Sequence, residues 1–212
     1  MHNYEYIVAS LPDISTDWKF TDGGPEVYIE QILEQCSGGD RNLVDFLREG
    51  FDENNLNPEF YKKALAHSNR FIREYFTFDL NMRNAKVKYL NKALGRPTEQ
   101  DVIRLSEEEM EFDEAPEVES ILSGKDILAT ERGLDDMMWE KIDRLTVFNY
   151  FDMERILAFI AKLQIIARWF RLDEQTGREL FKKLVDEVRG TSKGIDYDCC
   201  KDNTTAAEVI KG

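Results

Sequence analysis

Residues 58–95 read PEFYKKALAHSNRFIREYFTFDLNMRNAKVKYLNKALG, and this stretch decides the fold class. Apolar and aromatic side chains recur in it at spacings of three and four residues, which is the period of one face of an α-helix. The members of this stripe are Phe60, Ala64, His67, Phe71, Tyr75, Phe78, Met82, Ala85 and Tyr89. The pattern predicts one long central helix of about 55 Å that ends at residues 95–97. Residues 77–81 are a candidate place for a bend, because Asp79 and Asn81 compete for backbone hydrogen bonds.

Helical signals continue on both sides of this stretch. Pro25 suits the first position of a helix, and Asp40 is a candidate N-cap of the next one. Residues 98–105 predict a short helix, and residues 126–145 predict a longer one. Residues 4–11 form either a strand or a buried helical turn, because so few residues do not discriminate between the two periods. The predicted fold class is therefore all-α, a multi-helix bundle.

The C-terminal third carries two further helical patterns. Asp152 is a candidate N-cap for a helix whose apolar stripe reaches Phe170, and Asp173 is a candidate N-cap for a helix that ends at Gly190. The connector at residues 172–175 is short. The sequence therefore predicts that these two helices form an antiparallel hairpin.

The 212 residues suit one domain or two packed lobes. We predict a single helical domain over residues 1–190, with two lobes, 1–106 and 117–190, as the alternative. In that alternative an acidic linker at residues 107–116 joins the lobes. Residues 191–212 have no periodicity and predict a loose C-terminal tail.

The net charge of −14 narrows the classes of partner. Phosphate backbones and anionic lipid surfaces are repelled by such a field, so we expect no nucleic-acid partner and no direct membrane insertion. Basic protein surfaces are favoured instead. Three cysteines do not make a disulfide framework, and no leader or spanning segment is evident, so a cytoplasmic location is expected.

No pattern in the sequence indicates catalysis. The two histidines, His2 and His67, lie in no metal-ligand spacing, and no nucleophile signature or phosphate-binding loop is present. We therefore predict no catalytic residue, no cofactor and no metal. Asp135 and Asp136 resemble the start of the acidic motif with which helical enzymes bind magnesium pyrophosphate, but Trp139 stands where that motif has an acid. A helical prenyl-pyrophosphate enzyme is one alternative hypothesis.

Several segments resemble one family. They are residues 4–13 (YEYIVASLPD), 78–84 (FDLNMRN), 134–139 (LDDMMW), 151–159 (FDMERILAF) and 162–169 (KLQIIARW). Together they resemble an uncharacterised bacterial family that tends to be encoded among V-type ATPase subunits. Members look like a short counterpart of the V-type ATPase C subunit, which is called d in eukaryotes. The C subunit has three similar helical lobes, whereas this chain has room for about two.

The resemblance implies a function without chemistry. It implies a non-catalytic subunit that couples the central rotor stalk to the membrane ring of an ATPase transporting protons or sodium. The implied partners are the stalk and ring subunits, and the implied location is cytoplasmic, peripheral to the inner membrane through the complex. An assembly factor or a soluble helical scaffold is the alternative.

Six residues are the candidate partner contacts. Four lie in the segment that resembles the C subunit, and two lie in an aromatic and basic cluster of the kind that anchors protein interfaces. They are Asp79, Asn81, Arg83, Asn84, Trp169 and Arg171. The alternative for all six is a role as internal struts, since buried charge pairs are an ordinary structural feature.

Overall fold

The structure, a computed structural model, describes residues 4–20, 24–106 and 111–171, and every regular element in these ranges is helical. The all-α prediction is confirmed. The helices are α1 (Tyr4–Ser10), α2 (Pro25–Gln35), α3 (Gly38–Glu49), α4 (Pro58–Leu65), α5 (Arg70–Ala93), α6 (Ala115–Leu122), α7 (Ile127–Thr146) and α8 (153–171), with a 3₁₀ turn at Glu53–Asn55.

The chain divides into two compact units, Met1–Arg168 and Trp169–Gly212. In the first unit α5 is the central helix, because it packs against α4, α6 and α7. The predicted division into lobes at 1–106 and 117–190 stays a prediction.

The predicted single long helix is wrong, because residues 66–69 break it into α4 and α5. The Asn69 side chain accepts a hydrogen bond from the Ile72 amide at 3.1 Å and so caps a new helix. His67 fixes the same turn, since its Nδ1 accepts from the Asn69 amide at 3.0 Å. The predicted bend at residues 77–81 stays a prediction. These residues lie within α5, whose 24 residues continue through them without interruption, over about 36 Å.

Side-chain caps define most helix starts. Pro25 and Asn57 stand at the starts of α2 and α4 as expected. The start of α3 differs from the prediction, because Ser37 is its N-cap and Asp40 is the third helical residue. The two form a capping box in which each side chain accepts from the other's backbone amide. The ambiguous start at residues 4–11 is helical, because residues 4–10 form α1 and Leu11 follows its end.

Residues 98–101 form a turn and residues 102–105 are irregular, so the short helix predicted over 98–105 is wrong. Asp101 has a φ of 62°, a left-handed backbone conformation that no α-helix accommodates. Asn91, which is buried in α5, holds this segment in place by donating to the carbonyl oxygens of Thr98 and Gln100 at 3.3 and 2.7 Å.

The core beneath α4 and α5 is aromatic. Phe76 has no exposed surface, and its ring contacts Phe60 and Tyr75 edge to face at centroid distances of 5.0 and 5.1 Å. Phe46 of α3 stacks on Phe60 at 5.3 Å. The backbone of Gly50 passes directly against this cluster. Edge-to-face and offset stacking adds stabilisation beyond the apolar area that the rings bury.

The first helix of the predicted C-terminal hairpin is present as α8. Asp152 caps it by accepting from the Arg155 amide at 3.0 Å, as expected. The second helix of the hairpin, its end at Gly190 and the tail at 191–212 lie outside the described residues, and so do residues 107–110 of the predicted linker. Among the helices that are described, none is long and apolar enough to cross a membrane.

Candidate functional site

Two of the predicted contact residues on α5, Asp79 and Asn84, are half-buried and hydrogen-bonded to neighbouring segments. Asp79 Oδ2 accepts a hydrogen bond of 2.7 Å from the hydroxyl of Tyr61, a side chain with no exposed surface. Asn84 is bonded twice to Ile103, as donor to its carbonyl oxygen at 2.9 Å and as acceptor from its amide at 3.0 Å. Both side chains therefore fix neighbouring segments onto α5.

Of the other two α5 residues, Arg83 is exposed and Asn81 is half-buried. Asn81 and Asn84 both line a groove of about 670 Å³. The groove runs along α5 between residues 102–106 and 111–119. A partner contact at any of these four α5 residues stays a prediction.

The remaining predicted contacts lie at the end of α8, in the second compact unit. Trp169 is half-buried and Arg171 is exposed. Their partner contacts also stay predictions.

A charge network crosses three helices. Glu131 of α7 accepts from Lys86 of α5 at 2.5 Å and from Arg168 of α8 at 3.0 Å, and Arg168 also lies 3.3 Å from Asp135. Burial alone would raise the pKa of Glu131, but the two cations outweigh it and hold that pKa below its usual range. The carboxylate is therefore ionised at neutral pH and joins α5, α7 and α8.

The acidic pair that suggested a pyrophosphate enzyme is engaged in ion pairs. Asp135 is 7% exposed and faces Arg168, while Asp136 lies 3.6 Å from Arg132 of the preceding turn. Within residues 4–20, 24–106 and 111–171, no group of three or more His, Cys, Asp or Glu side chains could hold a metal ion.

The connector between α7 and α8 exposes large apolar side chains in one place. We call residues 147–151 the aromatic turn. The exposed fractions are 58% for Val147, 85% for Phe148, 70% for Tyr150 and 55% for Phe151. Single exposed apolar residues are common on protein surfaces, whereas a contiguous group of them marks an interaction site.

The aromatic turn is held by hydrogen bonds from its own ends and from α5. The guanidinium of Arg70 donates to the Leu145 carbonyl at 2.9 Å, to Asn149 Oδ1 at 3.0 Å and to Glu154 Oε2 at 2.5 Å. Asn149 donates in turn to Asp152 Oδ2. The first helical residue of α5 thus fixes both ends of the turn.

Arg155 follows the aromatic turn on the first turn of α8. It is exposed, and in the described part of the chain its guanidinium forms no ion pair or hydrogen bond. It borders a cavity of about 200 Å³ whose walls include Leu11, Ile14 and Phe159. Asp13 lines the same cavity and is exposed.

Comparison with protein families gives one match, over residues 52–192. That range is about two thirds of the chain. The chain belongs to the DUF2764 family. The family is described as proteins of unknown function. Comparison with curated proteins finds no match, and comparison with solved structures finds none either.

The DUF2764 region starts just before α4, so it contains α5, the charge network and the aromatic turn. Sequence reasoning missed the aromatic turn as a site. The available signal was a run of large apolar residues, VFNYF at 147–151, immediately before the N-cap Asp152. Connectors are normally polar, and apolar residues between two helices are a reason to expect an exposed contact.

Asp79 gives the DUF2764 region a defined pH dependence. Burial raises the pKa of its carboxyl above the ordinary 3.8, although the Tyr61 hydrogen bond and the Arg83 guanidinium lower it. Between pH 3.8 and the raised pKa we therefore expect the folded chain to hold a proton that the unfolded chain releases. This group's contribution to stability should fall as pH rises through that window.

Replacing Asp79 with asparagine should remove this dependence and keep an acceptor for the Tyr61 hydroxyl. We expect the free energy of unfolding of Asp79→Asn, relative to the parent chain, to increase as pH rises through that window and then to level off. Urea unfolding of both chains between about pH 4 and about pH 8 measures it. Parallel pH profiles for the two chains would show that this carboxyl does not titrate differently in the folded state.

Proposed function

We propose that this DUF2764 protein is a non-catalytic subunit of a bacterial V-type ATPase and couples the central stalk to the membrane ring. In this proposal it lies on the cytoplasmic side, peripheral to the inner membrane through the complex, and its partners are stalk and ring subunits. The resemblance of its sequence segments to the C subunit suggests the function. One structural observation supports it, namely the hydrogen bonds and the ion pair that join α5 to other segments along its length.

Transmission of torque requires that a load on one helix reaches its neighbours without a change in packing. At its first residue α5 is bonded to the aromatic turn through Arg70, and in its middle Lys86 joins it to Glu131 of α7. Near its C-terminal end Asn91 holds the segment at residues 98–100. Because these bonds are spread over about 32 Å, α5 is fixed along most of its length.

The direct test is purification of the tagged chain from its native host, followed by mass spectrometry of the proteins that accompany it. We expect stalk and ring subunits in fixed ratio from membranes. Recovery of only partly assembled soluble subunits would favour the assembly-factor alternative, and recovery of no ATPase subunit would overturn the proposal.

The charge network provides a sharper test of coupling. Replacing Glu131 with alanine leaves Lys86 and Arg168 without their shared carboxylate, which should cost about 1 kcal/mol of stability, because all three side chains are partly exposed. We expect the variant to assemble and support ATP hydrolysis, but to pump fewer ions per ATP.

The matched control is Glu140→Ala, which removes the same side chain from the same helix. Its ion pair with Arg144 stays within α7 and is exposed, so no inter-helix bond is lost. Ion pumping in inverted vesicles, measured together with ATP hydrolysis, compares the two variants. Equal pumping per ATP in Glu131→Ala and Glu140→Ala would show that the network does not contribute to coupling.

A further inference from the structure

We infer that the aromatic turn docks a partner protein whose surface carries an apolar cleft with a carboxylate at its edge. The inference concerns this surface and its occupant, and it does not require the partner to be an ATPase subunit. It stands on the exposure of the turn, on its rigidity and on the charge beside it.

The composition of the turn is that of an interface anchor. Phe148 and Tyr150 are 85% and 70% exposed, so each leaves most of a large apolar ring in water. Aromatic side chains and arginine are enriched among the residues that contribute most to protein–protein binding. Here two exposed phenylalanines and a tyrosine stand within eight residues of the exposed Arg155.

Rigidity separates the turn from an ordinary exposed loop. Arg70 bonds to Leu145 before the turn, to Asn149 within it and to Glu154 after it. A preorganised surface loses less conformational entropy on binding than a flexible one. The backbone that carries the exposed rings is therefore held in one arrangement, which suits a cleft of fixed shape.

The charge beside the turn indicates what stands at the edge of the cleft. Arg155 offers a guanidinium that forms no ion pair with a described residue. The cavity beside it is lined by the apolar Leu11, Ile14 and Phe159 and by the charged Asp13 and Lys162. Partial exclusion of water strengthens an ion pair. Among protein side chains, a guanidinium pairs best with a carboxylate, to which it donates two parallel hydrogen bonds.

The net charge of −14 argues against two other occupants. An anionic membrane surface repels the chain, although aromatic residues with an arginine also occur in membrane-interface segments. A second copy of the chain would bring together two molecules of the same large charge. A different protein is the occupant that these charges favour.

Photo-crosslinking in the native host tests the inference with the full chain. Tyr150 is replaced with p-benzoylphenylalanine, which keeps an aromatic side chain at the site, and the crosslinked peptides are sequenced by mass spectrometry. We expect one partner protein, crosslinked at a peptide with large apolar residues and an aspartate or glutamate. The matched control places the same group at Leu128, which is 52% exposed at the other end of α7, and should not give that peptide.

Arg155 variants test the carboxylate. Because its side chain has no described partner, Arg155→Glu should leave the melting temperature unchanged and lower the crosslink yield at position 150 by about 10-fold or more. Arg155→Lys keeps the charge, so its crosslink yield at position 150 should fall less than that of Arg155→Glu. An unchanged yield in Arg155→Glu would overturn the carboxylate contact.

Four crosslinking results would overturn the docking inference: no crosslink at position 150, crosslinks only to lipid, crosslinks only to the same chain or a second copy, and an equal yield of the same peptide from position 128. The inference and the proposed function can fail separately. A crosslinked partner of the expected chemistry that is not an ATPase subunit would support the docking inference and contradict the proposed function. Co-purification of ATPase subunits without any crosslink at position 150 would support the proposed function and contradict the docking inference.

Discussion

The variant Gly50→Ala is expected to destabilise the fold by about 3 kcal/mol. A Cβ atom at this position would lie 2.2 Å from Cζ of Phe76 and 2.8 Å from Cζ of Phe60. Phe76 is completely buried and Phe60 is 6% exposed, so neither ring has free space to move into. The backbone conformation of Gly50 is right-handed, so steric overlap with the rings is the whole cause.

Urea unfolding measures this effect, and Gly38→Ala is the matched control. Nothing lies within 4 Å of a Cβ built on Gly38, in the first turn of α3, so that variant should change the free energy of unfolding by less than about 0.5 kcal/mol. A smaller ring should relieve the overlap. The double variant Gly50→Ala, Phe76→Leu should therefore cost less than the sum of the two single variants. Strict additivity, or equal costs for the two glycine variants, would contradict the steric explanation.

The second large effect is expected for Arg70→Ala, which should cost about 2 kcal/mol. The substitution removes three hydrogen bonds, and it leaves the Glu154 carboxylate, whose side chain is only 17% exposed, without its cation. The Arg70 side chain is 48% exposed, and solvent screening reduces what the ion pair alone contributes. The bonds to Leu145 and Asn149 therefore carry much of the loss.

Hydrogen exchange separates the local effect of Arg70→Ala from general destabilisation. Amides at residues 145–155 should exchange faster in the variant, and amides in α3 should change little. Arg70→Lys keeps the charge but cannot reach all three acceptors. Its amide exchange rates at residues 145–155 should therefore lie between those of the parent chain and those of Arg70→Ala. Lys92→Ala, at an exposed position of the same helix, is the control, and its amide exchange rates should match those of the parent chain. Uniformly faster exchange in all helices would show that Arg70 does not act on the turn specifically.

The sequence predicts this fold well wherever the signal is local. Asn57 and Asp152 accept hydrogen bonds from amides three residues ahead, so a reader of the sequence finds them without knowing the tertiary structure. The break at residues 66–69 was not predictable from periodicity, because the apolar stripe stays in phase across it. His67 and Asn69 break the helix through polar contacts that a hydropathy pattern does not contain.

The candidate site was less predictable than the fold. Asp79 and Asn84 were singled out, but whether they contact a partner or Tyr61 and Ile103 depends on which segments pack against α5. Phe148 and Tyr150 look like core residues in the sequence. Their exposure is a property of the assembled helices, and it follows from how α7 and α8 meet rather than from the residues themselves.

The bonds made by Arg70 also set an order of events during synthesis of the chain. Its three acceptors lie 75, 79 and 84 positions later in the sequence, so the aromatic turn acquires its fixed shape only after α8 has begun to form and has returned to the start of α5. Contacts of such large sequence separation form late, because a long loop must first be closed. A partner that recognises the fixed turn would therefore not bind nascent or partly folded chains. Recruitment through this turn would itself act as a check on the quality of the subunits that enter an assembly.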